Sequence, residues 1–269
     1  MRVSQEYKIV GIYIIVGFLW IIFSDAATES LLKYKEEITL IQNLKGSFFV
    51  LFTGVLLFFL IRKSINELKD ANTKLKNGYK QTIDGWMKVL DTRHKETKDH
   101  TARVTRMTLE LAKISGITDP EELENIECGA ILHDIGKIGI SDEILIKPSK
   151  LTEDEFARIK THPQIAYDIM SGIDFLSSIV DIPYSHHEKW DGSGYPQGLK
   201  GTDIPIAARI FSIIDVWDAL IHPRIYKSAW PEEKVLKYIQ EQAGSHFDPH
   251  IVRLFLDNYE QIKTNSKAG

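Results

Sequence analysis

Two stretches of this chain, residues 9–23 and 48–61, contain no charged side chain, and both lie before residue 62. Each, with its neutral neighbours, approaches the roughly 20 residues that cross a bilayer. The first could serve as a cleaved secretion signal, but Asp25-Ala-Ala27 resembles a cleavage site only loosely. The second run favours retention, since two spans form a hairpin that returns the chain to its starting side. Lys and Arg collect on the cytoplasmic side of a membrane. Residues 62–80 carry six of them against two acids, whereas residues 24–45 carry three Lys against four acids. Both termini are therefore expected in the cytoplasm. The external loop of 22 residues is too short for a folded sensor domain.

Residues 62–85 read as a linker helix. Ile65, Leu68, Asn72, Leu75, Tyr79, Thr82, Trp86 and Val89 recur at alternating spacings of three and four, a heptad seam that suits a parallel homodimer. Gly78 and the polar Thr82 weaken that seam, so a solvated connecting helix is the alternative. The basic residues of the stretch also suit contact with anionic lipid headgroups.

From residue 86 the apolar spacing is helical and no strand-length alternation occurs, so the class is all-α. Thr152-Glu-Asp-Glu155 has the form of a helix-opening capping box. One long Gly- and Pro-rich loop covers residues 189–205. A formal net charge of −4 excludes a basic binder of duplex nucleic acid. The lone Cys128 excludes a disulfide framework or a Cys-rich metal site. A metal would have to sit on His and carboxylate, and the chain has nine His.

Several of these polar residues interrupt otherwise apolar helices. Glu96 and His100 are four apart, on one helical face. His133 and Asp134 are adjacent, and a carboxylate beside an imidazole can grip one cation and bridge to a second. His162 precedes Pro163 at a helix start, His186-His-Glu188 closes another helix, and Asp215 lies within Ile210-Phe-Ser-Ile-Ile-Asp-Val-Trp217. A carboxylate in that last setting is costly unless its charge is compensated. His94, His222, His246 and His250 show no such pattern and read as ordinary histidines, although His222 lies near the basic residues Arg224 and Lys227.

Residues 86–262 resemble the HD-GYP family of bacterial cyclic di-GMP phosphodiesterases, within the HD metal phosphohydrolases. The matching strings include Glu96-Thr-Lys-Asp-His-Thr-Ala-Arg-Val104, Leu132-His-Asp-Ile-Gly-Lys-Ile138, His186-His-Glu-Lys-Trp-Asp-Gly-Ser-Gly-Tyr-Pro196 and Ala208-Arg-Ile-Phe-Ser-Ile-Ile-Asp-Val-Trp-Asp-Ala-Leu220. Residues 1–61 are similar, less specifically, to a two-helix module found upstream of bacterial signalling domains, and residues 263–269 form a tail.

The resemblance implies an HD-type helical bundle binding two or three divalent metal ions, iron or manganese. His100, His133, Asp134 and Asp215 would be the shared ligands, with His162, His186 and His187 added in this subgroup. Asp134 would bridge, and Glu96 would serve a third ion. The implied chemistry is in-line attack on phosphorus by metal-bound hydroxide, opening cyclic di-GMP to pGpG, with further cleavage to GMP as a second step. Lys137, four residues after His133, falls on the same face if that helix continues, where it could contact phosphate.

Gly192 and Gly194 permit turns that would bring Tyr195 over the site, its ring against a base, with Asp191 bracing the loop. Arg224 and Lys227 match the family's basic substrate contacts, although Ile225 stands where the family usually has Pro. Two alternatives are an HD phosphohydrolase for another cyclic dinucleotide or nucleotide, and a non-catalytic scaffold that binds diguanylate cyclases.

Overall fold

The computed structural model describes residues 5–31, 35–93, 100–223 and 228–266. Thirteen α-helices are assigned among them: α1 (Gln5–Leu31), α2 (Lys35–Arg93), α3 (His100–Ile114), α4 (Pro120–Ile131), α5 (Asp142–Leu145), α6 (Glu153–Ile159), α7 (His162–Met170), α8 (Asp174–Ser177), α9 (Asp181–Ser185), α10 (Ile206–Ile221), α11 (Glu232–Glu241), α12 (Pro249–Asp257) and α13 (Tyr259–Asn265). No strand occurs among the described residues, only an isolated bridge between Ala243 and Phe247. The all-α expectation holds.

The chain divides into two compact units, residues 1–79 and 80–269. In the first, Trp20 of α1 stacks on Phe48 of α2 at 5.4 Å between ring centroids and lies 5.9 Å from Phe49. Both helices are long and apolar enough to cross a membrane, α1 over Tyr7–Ser24. Thr53, inside the second apolar run, donates its hydroxyl back to the Phe49 carbonyl at 2.7 Å, so its polar atom is satisfied within the helix. The second apolar run and the linker lie on one 59-residue helix that Gly78 does not interrupt. A single Gly costs about 1 kcal/mol of helix propensity, too little to outweigh the turns on either side.

The second unit is organised around α10. Ala207, Ala208, Ile210, Phe211, Ile213, Ile214, Trp217 and Leu220 are all buried, covering more than one face of that helix. A helix apolar around most of its circumference must lie in the interior. It packs against α3, α9, α11 and α12. A smaller apolar cluster joins Ile83 and Met87 of α2 to Cys128, Leu132, Ile135, Ala166 and Met170. Lys80 adds a 2.9 Å ion pair to Glu127 of α4.

Helix starts are chemically marked. Asp119 accepts the Glu122 amide at 2.9 Å ahead of α4, and the Thr152–Glu155 capping box opens α6 as expected. Helical packing continues beyond residue 262: Lys263 pairs with Glu232 at 2.6 Å and Asn265 bonds Glu110 at 2.8 Å.

Candidate metal centre

Five short segments bring the candidate ligands together. His100 is the first residue of α3, and Asp215 lies on α10. His133 and Asp134 occupy the break between α4 and a 3-10 turn at Ile135–Gly139. His162 opens α7, ahead of Pro163, and His186 and His187 follow α9. Gly136 is what lets the turn touch α7. A Cβ there would collide with the His162 carbonyl and the Ala166 amide, so only glycine permits the approach that brings Asp134 to His162.

The ligand atoms fall into two groups, His100–His133–Asp215 and His162–His186–His187, and within each they lie within 4.8 Å of one another. Asp134 lies between the groups: one carboxylate oxygen is 3.2 Å from His133 Nε2 and the other 3.3 Å from His162 Nε2. Main-chain carbonyls fix the tautomers. Nδ1–H of His133 donates to Ala130 O at 2.9 Å, that of His162 to Ile159 O at 2.8 Å, and that of His186 to Ile182 O at 2.9 Å. A carbonyl only accepts, so each ring turns a bare Nε2 lone pair inward. The Nε2 atoms of His162 and His186 stand 3.4 Å apart. Two facing lone pairs repel, and a cation between them converts that repulsion into ligation. The donor set therefore fits divalent metal ions, with imidazole and carboxylate suiting iron, manganese or zinc.

The electrostatics agree. Burial pushes His162 and His186 below the usual histidine range and takes His187 down to about 3, so all three rings stay neutral at pH 7. Burial alone would raise the Asp134 carboxyl. The Lys137 ammonium paired with it outweighs burial and holds Asp134 well below the ordinary carboxylate range.

Lys137 reaches the site differently from the expectation. The helix does not continue past Ile131; it tightens into the 3-10 turn, and Lys137 Nζ pairs with Asp134 Oδ2 rather than sharing a helical face with His133. Tyr195 stacks on His187 at 4.8 Å between centroids, so one site ring already occupies part of the surface expected to receive a base. Gly192 takes φ +85°, as a tight turn requires. Gly194 is needed for space instead, because a Cβ would strike the backbone of residues 187–189. Asp191 braces the loop by accepting the Ser193 amide at 2.8 Å. Glu96, Arg224 and Lys227 lie outside the described residues.

Two buried carboxylates take roles that the sequence alone does not assign. Asp218 Oδ2 accepts Nδ1–H of His100 at 2.6 Å. Its two oxygens also accept from the Arg103 guanidinium at 2.9 and 3.1 Å, and its Oδ1 lies 3.1 Å from His222 Nδ1. Its spacing of three from Asp215 on an apolar helix was the available signal. Glu188 accepts the amides of Gln197, Gly198 and Leu199 at 2.7–3.1 Å and so holds the loop beyond Tyr195. Three backbone donors in a row mark it as structural.

The sequence model of the HD domain family matches residues 86–251. The chain belongs to that family, and the resemblance drawn from its motifs stands. It is 38% identical over 202 residues to the cyclic di-GMP phosphodiesterase response regulator RpfG of Xanthomonas campestris pv. campestris, which covers 74% of this chain and 51% of the relative. It is 37% identical over 190 residues to 3'3'-cGAMP-specific phosphodiesterase 2 of Vibrio cholerae, over 70% of this chain and 36% of the relative. The chain thus spans about half or less of these curated relatives. A solved cyclic GMP-AMP specific phosphodiesterase of Vibrio cholerae shares the fold, with a TM-score of 0.54 at 19% identity over 70% of this chain and 50% of that one.

Proposed function

We propose that this chain is a membrane-anchored, metal-dependent phosphodiesterase that hydrolyses cyclic di-GMP to pGpG and, in a second step, GMP. The observation that carries this reading is Asp134, with one oxygen toward each histidine group. That is the arrangement a bridged two-ion centre needs. His100, His133 and Asp215 would hold one ion, His162, His186 and His187 the other, and Glu96 a third. Iron or manganese is the metal proposed. Such ions would supply charge neutralisation at phosphorus and a water acidic enough to act as nucleophile at neutral pH.

The chain's own residues do the rest. Lys137, the ion-pair partner of Asp134, keeps that carboxylate ionised and would contact a phosphate oxygen. Tyr195, held by its stack on His187, would offer its ring to a base and its hydroxyl to phosphate. Arg224 and Lys227 would grip the remaining phosphate and guanine edges.

Ile65, Leu68, Leu75, Tyr79, Trp86 and Val89 are exposed along α2, which supports a parallel homodimer through the linker. The orientation proposed is two inner-membrane spans with both termini cytoplasmic. Dimerisation is tested by crosslinking Leu68→Cys in a chain with Cys128 replaced; absence of crosslinks in an active sample would reduce the helix to a tether.

The cGAMP-specific relative keeps a second substrate, the hybrid cyclic dinucleotide, in play. Full-length protein in membranes, supplied anaerobically with iron or manganese, is to be given each dinucleotide and its products separated by chromatography. Turnover of cyclic di-GMP supports the first reading, and turnover of only the hybrid supports the second. Turnover of neither with metal bound leaves a scaffold that recruits diguanylate cyclases.

A further inference from the structure

Lys160 is the C-cap residue of α6, two residues before His162. Its ammonium lies 4.9 Å from the centre of the Phe156 ring and 5.4 Å from that of Tyr195, both within cation–π range. Tyr195 in turn stacks on His187. One tyrosine ring therefore adjoins both the metal-ligand cluster and Lys160.

Several other lysines of this unit pair with carboxylates: Lys137 with Asp134, Lys147 with Glu155, Lys80 with Glu127 and Lys263 with Glu232. Among the described residues Lys160 has no carboxylate within ion-pair distance. It is exposed, and two rings hold its position. An unneutralised cation fixed at the rim of a phosphodiester site suits an anionic group that the centre itself does not reach.

We propose that Lys160 is a specificity-determining residue that binds the second, non-scissile phosphate of a cyclic dinucleotide. This rests on the phosphodiesterase reading above. A cyclic dinucleotide carries two phosphodiester charges, and a two-ion centre with Lys137 serves the one being cleaved. Lys160 serves the other, and on binding its ammonium leaves the face of Tyr195, opening that ring to a base. A small phosphodiester with a single phosphate has nothing to offer Lys160.

The test compares cyclic di-GMP with bis(p-nitrophenyl) phosphate on the full-length, metal-loaded protein carrying Lys160→Met or Lys160→Arg. With Lys160→Met, kcat/KM for cyclic di-GMP is expected to fall about tenfold relative to that for bis(p-nitrophenyl) phosphate, through KM, as expected for loss of one ground-state charge contact. Lys160→Arg should recover most of it, and the wild-type preference for the dinucleotide should weaken with salt more than the variant's. Equal losses on both substrates would make Lys160 a structural support for Tyr195, and an unchanged ratio would remove it from binding; either overturns the proposal. If the wild-type protein cleaves the small diester but not cyclic di-GMP, the substrate reading fails instead. Cyclic GMP-AMP, with the same two phosphates, then carries the same comparison.

Discussion

The two halves of the candidate centre are built differently. His100 and Asp215 stand on α3 and α10, helices of 15 and 16 residues set in the main apolar core. His162, His186 and His187 stand on or beside α7 and α9, of nine and five residues. Their rings are oriented differently as well. His100 leans on a side chain, Asp218, while His162 and His186 lean on main-chain carbonyls. Within the first half His133 also leans on a carbonyl, that of Ala130, so His100 is the ring aimed by a side chain that a mutation can remove, while His133, His162 and His186 are aimed by backbone that a point substitution leaves in place.

Asp134 belongs to both halves, so its loss should have the largest effect. Asp134→Ala is expected to release metal from both groups and cut turnover by about a thousandfold or more, since a bridging ligand contributes several kcal/mol. Far-ultraviolet circular dichroism should stay near wild type. Wild-type metal content and rate in this variant would remove Asp134 from the centre.

Asp218→Asn sharpens the comparison. Partners behind a ligating histidine typically contribute 10–100-fold in metal affinity. The variant should lose about that much for one ion and keep the other, read by competitive chelator titration. Equal weakening of both ions would mean the halves are not independently aimed. Glu96→Ala should lower metal content less than His133→Ala if, as proposed, Glu96 serves only a third ion; equal losses would contradict that grading.

A smaller effect is expected from pH in metal-free protein. His187 titrates near 3 when folded and near 6.5 when unfolded, so between those values the unfolded chain binds more protons. Stability contributed by the neutral ring is therefore complete above about pH 6.5 and is lost as pH falls below it, by about 2 kcal/mol at pH 5. His162 and His186 act in the same direction. Asp134 does not contribute in this window, since its depressed value matters only below about pH 4. Urea midpoints at pH 7 and pH 5 check this, and equal midpoints would show that the rings are not buried neutral.

The comparison also explains what was legible in the sequence. The helical class and the ligand residues could be read because each polar residue breaks an apolar pattern: Asp215 inside α10, His133 after α4, His162 before a proline. Contacts that depend on tertiary approach could not. Asp218 looks like an ordinary carboxylate until α3 is laid against α10 and brings Arg103 and His100 to it. His222, read as ordinary, joins the same carboxylate. For Lys137 the local spacing leaves open whether the helix continues, and gives no sign that the chain tightens to 3-10 geometry, which the contact at Gly136 accompanies.

The central claim is that two ion sites share one carboxylate and act together. The most direct measurement is the number of iron or manganese ions bound per chain in anaerobically purified full-length protein, titrated against cyclic di-GMP turnover. The account predicts negligible turnover with one ion per chain and a steep rise as the second binds. Full turnover with a single ion per chain would contradict it.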